Sequence, residues 1–129
     1  MTGSEVYEQA IGLMATPPDD AAVYKQFALS AINAALAESF SINNSMRLFL
    51  GKEELEGIPL LGALSEEIPY EEELVRSALP YGVCSKLYID EDDMARVVYY
   101  HNLYIQFANA CAKLVAGEVE DVYGGEGEA

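Results

Sequence analysis

The residues that could do chemistry are few and scattered. His101 is the only histidine, and it falls within an apolar stripe, the setting of a core or interface imidazole rather than of a general base. Asp90-Glu91-Asp92-Asp93 offers four carboxylates in a row. A calcium loop starting at Asp90 would need glycine at its sixth position and glutamate at its twelfth. Those positions are Ala95 and His101, so capping the following helix accounts better for the run. Glu71-Glu72-Glu73 has the same reading at the start of another helix. Cys84 and Cys111 lack CxxC spacing and a neighbouring histidine, which predicts two free buried thiols and a reducing compartment. No nucleophile elbow, phosphate-binding loop or dinucleotide glycine pattern occurs. The residues therefore argue for no enzyme activity and for no metal or other cofactor.

Charge narrows the partners. The chain has 129 residues with 22 acidic against 7 basic side chains, a net charge of -15. Such a surface repels phosphate backbones and anionic membranes, which argues against sequence-specific nucleic-acid binding. No apolar run approaches the roughly 20 residues that a membrane span needs, and MTGSEVYEQA is not the basic-then-apolar start of a signal peptide. These features point to the cytoplasm, with no membrane partner. Half the residues are apolar, enough for one core at this length.

The elements that must carry these residues read as helices. The spacing predicts a first helix over about Ser4–Met14, with Thr2 and Glu5 as a capping box and Thr16-Pro17-Pro18 as its stop. A second helix starts at Asp19-Asp20 and reaches about Phe40, so apolar around most of its girth that several sides need cover. A third runs from near Pro69 to Ile89, with acids in its first turn and a kink or restart at Pro80. A fourth extends from the Asp90–Asp93 cap to about Val115 and reads as the central helix. Met94, Val98, His101, Ile105, Ala108, Ala112 and Val115 form one of its stripes. Val97, Tyr100, Tyr104, Phe107, Cys111 and Leu114 form the next, and Tyr99 and Gln106 fall on the opposite face.

Between the second and third helices, residues 41–69 are punctuated by Asn43-Asn44, Gly51, Gly57, Pro59 and Gly62, which predicts a long loop. Within it Met46–Leu50 and Ile58–Leu61 are short enough to pair as a β-hairpin. A loop of this length in a small domain suggests a role in contact with another chain. From Gly117 onward there are five acids, four glycines and no base. The reading is all-α: a bundle of about four helices in a single domain over residues 1–117, and a flexible acidic tail over 118–129. The tail reads first as solubilising, and Val119, Val122 and Tyr123 form a small apolar triplet in it that could alternatively dock on a partner.

The order of segments resembles a known family. Tyr7-Glu8-Gln9-Ala10 precedes Ala31-Ile32-Asn33-Ala34-Ala35-Leu36-Ala37-Glu38. After a glycine- and proline-rich loop come Leu60-Leu61-Gly62-Ala63-Leu64 and Ser65-Glu66-Glu67-Ile68-Pro69. Ala78-Leu79-Pro80-Tyr81-Gly82-Val83-Cys84, the acidic cap and a tyrosine-rich helix follow. This resembles the small helical head–tail connector (adaptor, or head-completion) proteins of tailed phages and prophages, over about Tyr7 to Tyr123. The resemblance implies a structural role: a homo-oligomeric ring on the portal protein that extends the DNA channel and meets neighbouring connector and tail proteins. It implies assembly in the bacterial host cytoplasm and then residence in the virion, and is compatible with a monomer in isolation. DNA would pass through the channel without sequence-specific contact. The interface residues would be Leu48, Phe49 and Leu50 in the loop, Tyr99 and Gln106 on the fourth helix, and Val119, Val122 and Tyr123 in the tail. A competing reading is a small acidic protein-interaction or regulatory module that forms no ring.

Overall fold

In the computed structural model, backbone is described for residues 1–16, 18–89 and 91–127, and side chains for residues 1–16, 20–89 and 91–115. Among them the chain forms five helices and no sheet: α1 (Gly3–Leu13), α2 (Pro18–Phe49), α3 (Glu72–Ser77), α4 (Leu79–Ile89) and α5 (Met94–Gly127). The all-α class is as expected. The fifth helix arises because the expected third one divides.

The first start signal works as its chemistry requires. The Thr2 hydroxyl accepts from the Glu5 N–H at 3.2 Å, and the Glu5 carboxylate accepts from the Thr2 N–H at 3.1 Å, satisfying two donors that a helix start leaves open. Asp93 accepts from the Arg96 N–H at 3.3 Å, so the acidic run does cap α5. Asp19 and Asp90 lie outside the residues whose side chains are described.

Several expected boundaries are corrected. The last helix does not end near Val115 but continues to Gly127, through most of the segment expected as a flexible tail. The second helix does not stop at Phe40 but continues to Phe49, so Met46–Leu50 is helical up to its cap and is not a strand. The nearest thing to β pairing is an isolated bridge between Thr2 and Glu67. The helix ends where Gly51, at φ 76°, turns the chain left-handed. The Lys52 N–H then bonds the Arg47 carbonyl at 2.8 Å and the Gly51 N–H bonds that of Leu48 at 3.0 Å, the double closure of a Schellman cap. The third helix starts at Glu72, not near Pro69, and is interrupted at Ala78. Pro80 falls in the first turn of α4, where a missing N–H costs nothing.

Asn43 and Asn44, which read as turn residues, are buried in α2 and serve as pegs for the loop that follows. Asn44 exchanges two bonds with the Leu55 backbone, at 2.9 and 3.2 Å. Asn33 does the same with Leu61, at 2.8 and 3.1 Å. Asn43 accepts from the Glu71 N–H at 2.8 Å. The loop's far end pairs with the N-terminus, the Gly3 and Ser4 N–H groups reaching the Glu66 and Leu64 carbonyls. Leu61, Ile68 and Tyr70 are buried. Much of the long loop is thus held by its own domain.

The central helix is α4, not α5. It touches α1, α2, α3 and α5, and Leu79, Val83, Cys84 and Leu87 are almost wholly buried. Gly82 lets α5 come close: a β-carbon there would stand 3.1 Å from the Tyr104 ring. Around this helix pack Val6 and Ala10 of α1, Ile32 and Leu36 of α2, Leu74 and Val75 of α3, and Ala108 of α5.

Candidate functional site

A polar seam at the surface links three helices of the bundle. Glu38 of α2 meets Lys86 of α4 at 2.5 Å and His101 Nδ1 of α5 at 3.3 Å, tying three helices together. The His101 ring lies over Tyr104, whose hydroxyl shares a 2.7 Å bond with Ser39. Burial raises the Tyr104 pKa above its ordinary value, against the opposing effect of Ser39. Cys84 and Cys111 are free and buried, as expected. Burial pushes the Cys84 thiol up to about 12, so it stays protonated and unreactive. Among the described residues no group of three or more histidine, cysteine or acidic side chains is arranged to hold a metal. No helix there is long and apolar enough to cross a membrane.

What stands out is exposed apolar surface. Leu48, Phe49 and Leu50 are 56%, 49% and 43% exposed, consecutive at the point where α2 ends. This is where sequence reasoning set an interface, although on a helix end rather than in a loop. Beside them lies a groove of about 360 Å³ between α2, α3 and α5, with Met46, Leu50, Leu114 and Val115 among its walls. Glu71 at its edge is held by Lys52 at 2.7 Å and Arg47 at 3.4 Å.

Further apolar side chains are exposed on α5, and a second apolar groove lies between α2 and α4. Met94, Val98 and Ile105, read from sequence as a buried stripe of α5, are exposed, as are Phe27 of α2 and Ile89 of α4. Phe27, Ala31, Ala34, Lys86 and Ile89 line a groove of about 310 Å³ between α2 and α4. The signal for the α5 exposure was available: an α5 apolar around two stripes has more greasy surface than α4 and α2 together can cover. Tyr99 and Gln106 are exposed on α5, seven positions apart and so on one face. Val119, Val122 and Tyr123, and the tail as a whole, lie outside the residues whose side chains are described.

A third groove, of about 420 Å³, lies between α1, the α3–α4 junction and α5, bordered by Leu13, Arg76, Pro80, Tyr81 and Phe107. Tyr81 stacks on Phe107 with ring centres 5.0 Å apart. The Tyr100 hydroxyl reaches the Leu13 carbonyl at 3.2 Å.

No family model, no curated protein and no solved structure matches the chain.

Proposed function

We propose that this chain is a structural assembly protein, a head–tail connector of a tailed phage or prophage that joins a ring on the portal and extends the DNA channel. The observation that carries the reading is the pair of separated apolar surfaces. Phe27 and Phe49 stand 22 positions apart on α2, about 30 Å along its axis. A ring subunit meets its copies head to tail through two different patches and a different protein beneath or above through a further one, so it needs several separate surfaces, of which these are two. Burying half-exposed Leu48, Phe49 and Leu50 would contribute roughly 1 kcal/mol each to such a contact. In this reading the α2 end faces the portal, and the groove of Phe27 and Ile89 faces a neighbouring copy. The charge of -15 per subunit would repel DNA from the channel wall. Assembly would take place in the host cytoplasm and end in the virion.

The alternative is an interaction module that binds one partner and forms no ring. Charge favours it, since copies that each carry -15 repel one another when packed side by side. Negative-stain electron microscopy of the chain mixed with the portal protein encoded near it, with portal alone as control, separates the two. A closed ring of added density on the portal is the expected result. Absence of any added density at micromolar concentration would refute the connector reading and leave the module.

A further inference from the structure

We infer that the groove at the end of α2 receives a basic amphipathic segment of a partner, with a large apolar side chain seated in the groove and lysines or arginines over the glutamates around it. This deepens the proposed function by naming the chemistry of the facing segment, and it rests on the α2 end being the surface turned to a different protein.

The apolar half of the argument is the groove itself. Met46 and Val115 are buried, while Leu50 and Leu114 stand 43% and 59% exposed on either side. A second groove continues it along α3, sharing Leu114, Glu72 and Glu73 and reaching Cys111. Leu48 and Phe49 extend the apolar surface at the α2 end.

The polar half is a local charge imbalance. Glu71, Glu72 and Glu73 line this groove, and exposed Glu53, Glu54 and Glu56 follow the α2 cap beside Lys52, another of its walls. The second group is held against the helix end by the Arg47 Nε–H bond to the Glu53 carbonyl at 2.6 Å and by the Asn44–Leu55 pair. Arg47 and Lys52 are both spent on Glu71, and Arg76 on Glu72. Glu53, Glu54, Glu56 and Glu73 have no ion-pair partner among the described residues. Lys113, the nearest base on α5 in sequence, is exposed and forms no ion pair there.

Other occupants fit less well. A second copy would bring its own -15 and, in a two-fold contact, the same unpaired glutamates. The chain's own residues after Gly117 carry five acids and no base. A neutral apolar segment would strip water from the glutamates and offer nothing in return. A segment with apolar residues on one side and bases at the margins satisfies both halves, by the groove-docking geometry common to amphipathic helices.

The test uses the full chain and a fluorescently labelled helical peptide of leucine and lysine, with a leucine and glutamate counterpart as control, followed by anisotropy. Expected is binding of the lysine peptide alone. Its affinity should fall about tenfold or more in Leu50→Ser/Leu114→Ser, and clearly in Glu53→Gln/Glu54→Gln/Glu73→Gln. It should be unchanged in Val98→Ser/Ile105→Ser, exposed on α5, and in the charge-matched Glu8→Gln/Asp20→Asn/Asp92→Asn. Thermal melts of each variant check that the fold is retained. Equal affinity across all variants would reduce the effect to general attraction of a polycation and overturn the inference. So would concentration-dependent dimerisation that Leu50→Ser/Leu114→Ser abolishes, because the groove would then belong to a second copy. A ring on the portal that survives Leu50→Ser/Leu114→Ser would overturn the inference and spare the connector. Peptide binding that follows the expected pattern, with no ring formed by the unaltered chain, would overturn the connector and spare the groove.

Discussion

Gly82→Ala and Gly12→Ala are the same substitution in two helices, and the packing predicts opposite signs. In a helix interior, replacing glycine by alanine removes backbone freedom from the unfolded chain and is worth about 1 kcal/mol if the methyl group has room. At Gly12 in α1 nothing lies within 4 Å of where the new β-carbon would stand. Gly12→Ala should therefore stabilise by roughly 0.5–1 kcal/mol. At Gly82 the β-carbon would meet Tyr104 Cδ1 at 3.1 Å, with Cε1 and Cγ at 3.5 and 3.6 Å. That ring has little freedom to retreat. It is 3% exposed, its hydroxyl is bonded to Ser39, and His101 covers it. Overpacking of this kind costs about 1–3 kcal/mol, so the net effect of Gly82→Ala should be a loss of about 1 kcal/mol after the gain in propensity.

Urea unfolding followed by circular dichroism reads the difference directly, provided the slope with denaturant stays constant between variants. The two variants should differ by about 2 kcal/mol, which for a chain of this size corresponds to roughly 6–10 °C in Tm. A double-mutant cycle with Tyr104→Phe sharpens the test. Without its hydroxyl the ring is released from Ser39 and can yield, so Gly82→Ala should cost less in that background. Gly82→Ala at or above the stability of the parent would refute the close α4–α5 approach on which the fold's centre depends.

Two further perturbations follow. Gly51→Ala forces a β-carbon into a left-handed residue at φ 76° and should destabilise by about 1 kcal/mol in the same urea assay; an unchanged midpoint would mean that the α2 end closes in another way. Burial raises the pKa of Tyr7, Tyr24, Tyr70, Tyr88, Tyr100 and Tyr104, and pushes the Cys84 thiol up to about 12. Each group favours its neutral form in the folded state. Its stabilisation is therefore complete below its unfolded pKa and is lost as pH rises toward the folded value. Urea midpoints should hold to about pH 8.5, the ordinary thiol value, and fall with increasing steepness above about pH 10, where unfolded tyrosine ionises. A flat profile from about pH 9 to 11.5 would show that these side chains are not buried as described.

Local chemistry in the sequence announced the helix starts. Thr2 with Glu5, and Asp93 three residues before Arg96, are pairings within a single turn, and such signals do not depend on what lies across the bundle. Helix ends and burial were harder to read. Asn43-Asn44 favour turns when their amides bond nearby backbone, yet here both amides reach across to loop residues 11 and 28 positions away, leaving α2 free to continue. Gly51 read as one of several glycines punctuating a loop, and only the backbone closure onto Arg47 and Leu48 sets it apart from those that follow. The break at Ala78 and restart at Leu79 come where Pro80 announced them, since proline offers no N–H to the preceding turn but fits the first turn of a new helix.

The same limit explains why half of the candidate surface was legible. Leu48, Phe49 and Leu50 are three large apolar residues in a row, a pattern that a helix covered on only one face cannot bury. Met94, Val98 and Ile105 keep perfect helical spacing and would be core in a helix covered on two sides. They are nonetheless exposed, and the Glu38 tie to Lys86 and His101 runs along the same stretch of α5. A bundle that needed only its own stability would favour polar residues at those positions. An apolar flank beside an ion-paired seam fits the proposed assembly, in which a neighbouring copy would cover it.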